Sequence, residues 1–64
     1  MLTYDKYSVF RDKKGYTDYK VSLETGIPKS TFSGWKSGDF TPKLDKLILI
    51  SKLLDIPDDV LLRN

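Results

Sequence analysis

TDYKVSLETGIPKSTFSGWKSG, residues 17–38, holds two short helical segments separated and closed by glycine. Thr17 has the chemistry of an N-cap, a hydroxyl that accepts from the amides of a first turn, and Tyr16 and Val21 stand at the positions of a hydrophobic staple around it. Asp18 falls in that first turn, where a carboxylate suits the positive end of the helix dipole. The segment covers residues 18–25 and stops at Gly26, which takes a positive φ at little cost. Ile27-Pro28 opens the next segment, proline being tolerated in a first turn. This third helix is expected from about residue 28 to 37, with Phe32 and Trp35 three apart on one face and Gly38 as its stop.

Working outward, residues 2–14 carry Leu2, Tyr7 and Phe10 at loosely helical spacing, with Arg11, Lys13 and Lys14 toward the end that favours cations, and then Gly15. On the other side, Thr41-Pro42 reads as an N-cap followed by proline at the first helical position. It opens a helix in which Leu44, Leu47, Ile48, Ser51 and Leu54 fit the i, i+3, i+4, i+7 pattern, with Leu44, Leu47, Ile50 and Leu54 as its core face. Ile56-Pro57 restarts the chain for a last turn or two, with Asp58 and Asp59 at its start and Val60, Leu61 and Leu62 returning to the core. Strand alternation is sustained nowhere. The expected product is an all-α compact bundle of five short helices forming one domain, residues 1–64.

The composition narrows the function. At 64 residues, with 39% apolar and 31% charged residues, the chain can build a small core under a solvated surface, with little stability to spare. Cysteine and histidine are absent, which removes disulfides, the usual zinc sites and imidazole catalysis. Without histidine, Ser30, Thr31 and Ser33 are poor nucleophiles, so a non-enzyme is expected, with no cofactor, metal or small-molecule ligand. Net charge is only +2, but it is unevenly spread: residues 29–46 carry +2 through Lys29, Lys36, Lys43 and Lys46 against Asp39 and Asp45, and the last ten carry −2. The longest apolar run, Leu47 to Ile50, is four residues, far below the ~20 that span a bilayer. With no signal-peptide pattern at the start, a cytoplasmic protein that does not enter membranes is expected.

Two helices joined by a tight turn centred on Gly26 have the outline of a helix-turn-helix. The fuller string, continued by PKLDKLILISKLLDIPDDVLL, resembles the Cro/CI-like (XRE) phage-repressor family over residues 7–62. The resemblance rests on the Gly26-Ile27 turn, the Phe32 and Trp35 pair, Gly38, and the later L-x-x-I-S-x-x-L and D-x-L-L patterns. It implies a lambda-repressor-like fold whose third helix lies in the DNA major groove while the second bridges the backbone. Carried over by position, Lys29, Ser30, Ser33 and Gly34 are the base-contacting candidates. Thr17, Asp18, Tyr19, Thr31, Lys36, Ser37, Lys43 and Lys46 are the phosphate candidates. Asp18 is a poor neighbour for phosphate by charge, so its backbone N–H, Thr17 or Tyr19 is the better donor there. The partner is then a double-stranded DNA operator, and the regulator a repressor of phage or mobile-element type.

Three departures from the family pattern matter. Where many members pair an arginine with a glutamate of the third helix, this chain has Arg11 and Lys36. They repel, so at least one is expected to turn outward, free to hold a phosphate. Ser22 and Ser51 replace small alanines and need acceptors, expected one turn back. Gly34 costs about 1 kcal/mol relative to alanine in a helix interior, and offers DNA its backbone in place of a side chain. Leu49, Leu53, Val60 and Leu61 are candidates for a dimer or partner surface, with core margin as the equal alternative. A homodimer would meet paired half-sites about one DNA turn apart. The alternative function is a protein-interaction module, an antitoxin or regulatory adaptor, on the same bundle. Trp35 is read as core, Tyr19 as the tyrosine most apt to stay outside, and Lys13, Lys14 and Lys20 as ordinary solvated surface.

Overall fold

Each helix begins where the chain supplies a cap or a proline, and five follow in order in the computed structural model, which describes residues 1–63. Asn64, the last residue of the expected domain, lies outside the described residues. Helix α1 spans Tyr4–Lys13, α2 Asp18–Thr25, α3 Lys29–Ser37, α4 Leu44–Leu54 and α5 Asp58–Leu62; the described residues contain no strand. Thr3 caps α1 by accepting from the Lys6 N–H at 3.2 Å, so the helix starts two residues later than its apolar spacing suggests. Thr17 caps α2 as expected, accepting from the Lys20 N–H at 3.1 Å. Prolines fall earlier than predicted: Pro28 and Pro57 are themselves the caps of α3 and α5, one place early, and Pro42 is buried two places ahead of α4, whose cap is Lys43 rather than Thr41. Pro28 and Pro57 have φ near −60°, the value the proline ring fixes, with ψ of 140° and 149°.

The core gathers one stripe from every helix. Leu2, Tyr7, Val21, Ile27, Phe32, Trp35, Leu47, Ile50, Leu54, Ile56 and Leu61 form a single buried cluster, with α2 packed on α3 and α4, α1 on α3, and α4 on α5. On α4 the buried stripe is Leu47, Ile50, Ser51 and Leu54, whereas Leu44 and Ile48 are exposed at 42% and 37%. Ser51 lies in this stripe, and its hydroxyl donates to the Ile48 carbonyl at 2.9 Å, the one-turn-back bond expected of it. Leu62, expected inside, is 59% exposed because consecutive residues of a helix do not share a face and Leu61 takes the core side.

Candidate nucleic-acid interface

The third helix is split lengthwise by chemistry. Phe32 and Trp35 are buried to 1% and 5% exposure, and their rings meet Tyr7 at centroid separations of 5.6 and 5.0 Å. Tyr4 adds an edge-on contact to Trp35 at 5.6 Å. Rings at these separations pack favourably beyond their buried area. The opposite side of α3 carries the exposed Lys29, Ser30, Ser33 and Ser37. No side chain caps the first turn of α3.

The turn that sets α3 against α2 is held by short polar side chains. Gly26 has φ +76°, and its N–H reaches the Ser22 carbonyl at 2.9 Å. Thr25 donates to the Val21 carbonyl at 2.7 Å and accepts from the Ile27 N–H at 3.2 Å. Ser22 donates across the turn to the Ile27 carbonyl. That replaces the expected bond one turn back, because the chain doubles over at Gly26 and brings a non-helical carbonyl closer than the helical one.

A second polar cluster ties α1 to the start of α2. The Asp18 carboxylate accepts from Tyr4 and Tyr7 hydroxyls at 2.6 Å each and from Arg11 Nη1 at 2.8 Å. Arg11 also donates to Tyr4 at 3.0 Å, pairs with Asp12 at 2.9 Å, and lies over the Tyr4 and Tyr7 rings. Partial burial works against ionisation of Asp18, but the three donors and the guanidinium charge outweigh it and hold the carboxyl below its ordinary range. Burial, and the same carboxylate, push the Tyr7 phenol up.

With this geometry in view, the comparisons with known proteins decide the family. The profile of the helix-turn-helix family matches residues 10–61, from within α1 into α5. The chain belongs to this family. Its members of this XRE type are DNA-binding regulators rather than enzymes. A curated relative, the HTH-type transcriptional regulator AnsR of Bacillus subtilis (strain 168), is 33% identical over 61 residues, covering 95% of this chain and 53% of that protein. The chain therefore spans about half the length of that relative. No solved structure matches.

In this helix-turn-helix domain, α2 and α3 are the motif's pair, and the candidate residues separate into those on the open surface and those already engaged. Lys29, Ser30 and Ser33 share the open face of α3, and Lys29 Nζ stands 5.7 Å from the centre of the exposed Tyr19 ring on α2. Thr17, Lys36, Lys43 and Lys46 are also exposed, and Thr31 is half-buried. Lys36 borders a shallow hollow with Arg11, Tyr16 and Thr17, and no carboxylate of the described residues pairs with it. The geometry refines the readings of Asp18 and of the Arg11 and Lys36 pair, and corrects those of Ser37 and Gly34. Asp18 turns its carboxylate inward, leaving only its backbone to meet an anion. Arg11 is taken up by Asp18 and Asp12, so of the two like charges Lys36 alone is free to hold a phosphate. Ser37 lies 3.0 Å from both the Gly34 carbonyl and the Asp39 carboxylate, which occupy its one proton and place negative charge beside it. Gly34 does not offer bare backbone, because the Phe40 ring lies against it.

The expected partner surface is smaller than the sequence suggests. Leu61 is in the core and Leu53 and Val60 pack partly against it, so among these only Leu49 is exposed, at 44%. Open apolar surface gathers instead where Leu44, Ile48 and Leu62 line a trough between α4 and α5. Sequence reading also passed over Phe40. Its signal was present, since a glycine in a helix interior often marks the close approach of another group. Among the described residues no helix is long and apolar enough to cross a membrane.

Proposed function

We propose that this domain is the sequence-specific, double-stranded-DNA-binding part of a transcriptional regulator, and that it acts by occupying an operator in the manner of a phage or mobile-element repressor. Helix α3 enters the major groove, where Lys29 donates to guanine O6 and N7 and Ser30 and Ser33 meet adjacent base edges. Thr17, Tyr19, Thr31, Lys36, Lys43, Lys46 and the Asp18 amide hold the flanking phosphates. The lengthwise division of α3 carries this reading: its rings lock it to the core, while hydroxyls and an ammonium that nothing inside the domain needs stand together on the other side. A homodimer on paired half-sites, with Leu49 at its contact, supplies the affinity that one domain of net charge +2 lacks.

Selection from random duplexes, scored by competition at fixed salt, tests the proposal. A defined half-site is the expected result. Lys29→Ala then relaxes preference at one base pair by about 1–3 kcal/mol, whereas Lys43→Ala weakens all sequences alike and lowers the salt slope by about 1. Binding with no sequence enrichment, or equal effects of both substitutions on selected and random DNA, rules out the assigned roles and favours the adaptor reading.

A further inference from the structure

We infer that Phe40, a residue outside α3, reads a thymine methyl group in place of the side chain that Gly34 lacks. This rests on the reading of α3 as the major-groove helix. Gly34 lies one turn beyond Ser30 on the open side of α3. A methyl group at Gly34 would stand 2.6 Å from Phe40 Cζ, so the ring fills the space where a side chain at this helix position would begin. The chain turns back at Gly38, two residues before Phe40, and carries the ring onto α3. One edge of the ring borders the hollow formed with Leu2, Trp35 and Thr41, yet Phe40 remains 49% exposed. A ring needed only as filler for the glycine has no reason to keep half its surface in water.

The chemistry of that face points to one kind of base edge. Ser30 and Ser33 offer hydroxyls and Lys29 an ammonium, all suited to polar groove atoms. Phe40 is a large, half-exposed apolar group seated against α3 at Gly34, and the thymine C5 methyl is the apolar feature the major groove presents. Covering that methyl removes hydrocarbon from water on both partners and discriminates thymine from cytosine at the same position.

The test uses the half-site selected by the unmodified protein, with each thymine replaced in turn by uracil, which deletes the methyl and leaves pairing intact. Expected is a loss of about fourfold at one position, the equivalent of one buried methyl group. In Phe40→Ala that loss disappears while the preference set by Lys29 remains, and Phe40→Leu keeps most of it. Lys29→Ala shows the reverse pattern. Urea unfolding of each variant establishes that it is folded at the assay temperature, and Phe40→Gln, which keeps bulk against Gly34 but turns a polar group toward the methyl and is expected to lose the uracil penalty likewise, carries the test if Phe40→Ala is not. The inference is overturned by a selected site with no thymine, by indifference of the unmodified protein to uracil throughout, or by an unchanged uracil penalty in Phe40→Ala. Failure to select any site overturns instead the reading of α3 itself.

Discussion

Two polar regions flank the helix-turn-helix, and they are built to opposite ends. Where α1 meets α2, one carboxylate serves three donors, and Tyr4, Tyr7, Arg11 and Asp18 saturate one another. Along the open side of α3, Lys29, Ser30 and Ser33 stand in water, and among the described residues only the ring contact to Tyr19 engages any of them. The residue types overlap, so composition does not separate the regions. What separates them is whether each polar group finds its partner inside the chain. A saturated network contributes rigidity and leaves nothing for a ligand; an open row of donors contributes little to stability and leaves its bonding capacity for a second molecule.

The sharpest way to break this contrast is to remove the shared acceptor. Asp18→Ala leaves the Tyr7 hydroxyl without its partner in the core and Arg11 without its inward counter-ion, and is expected to destabilise the domain by about 3 kcal/mol in urea unfolding. Lys29→Ala, by the same measurement, is expected within about 0.5 kcal/mol of the unmodified protein. A domain of this size has little stability in reserve, so DNA affinity in Asp18→Ala must be compared after correction for the folded fraction, and then matches the unmodified protein. A large stability loss in Lys29→Ala, or none in Asp18→Ala, erases the distinction between the regions.

Acid sharpens the same contrast with a smaller effect. The folded-state pKa of Asp18 is depressed below its unfolded value by Tyr4, Tyr7 and Arg11. Its contribution to stability is therefore fully present above the unfolded carboxylate value of roughly 4, and is lost as pH falls through the lower folded value. Unfolding free energy should decline below about pH 4, and the part due to this site should be missing from Asp18→Asn. If the two proteins show the same acid profile, the carboxylate is not held by its three donors. No such dependence is expected from the uncharged hydroxyls of α3.

How much of this was legible beforehand depended on sequence distance. The two faces of α3 follow from spacing within nine residues, and Gly26 and Thr17 announce a turn and a cap through local chemistry alone. The inward network of Asp18 is not legible in the sequence because its partners lie 7, 11 and 14 residues away, and which of them reach it depends on how α1 lies across the start of α2. Its place in a first turn explained it adequately without them. On α4, apolar residues occupy nearly every direction around the axis, so periodicity alone does not choose between Leu44 or Ile48 and Ile50 for the buried stripe. Phe40 lies in the connection after α3, where the direction of a ring is set by the path of the backbone.

The smallest predicted effect bears on that ring, and a double-mutant cycle isolates it. Alanine in place of glycine inside a helix gains about 1 kcal/mol from propensity alone. At Gly34 the added methyl enters the space of the Phe40 ring, which must swing outward and give up its contact with the helix. Gly34→Ala should therefore stabilise the intact protein by less than it stabilises Phe40→Ala, where the space is empty and the full gain is available. The coupling expected from urea unfolding is about 0.5–1 kcal/mol, the range for residues in direct contact. Equal gains in both backgrounds would mean that the ring does not rest on Gly34 in solution. The open side of α3 would then carry only hydroxyls and an ammonium, and its contrast with the saturated network beneath would be complete rather than interrupted by one aromatic ring.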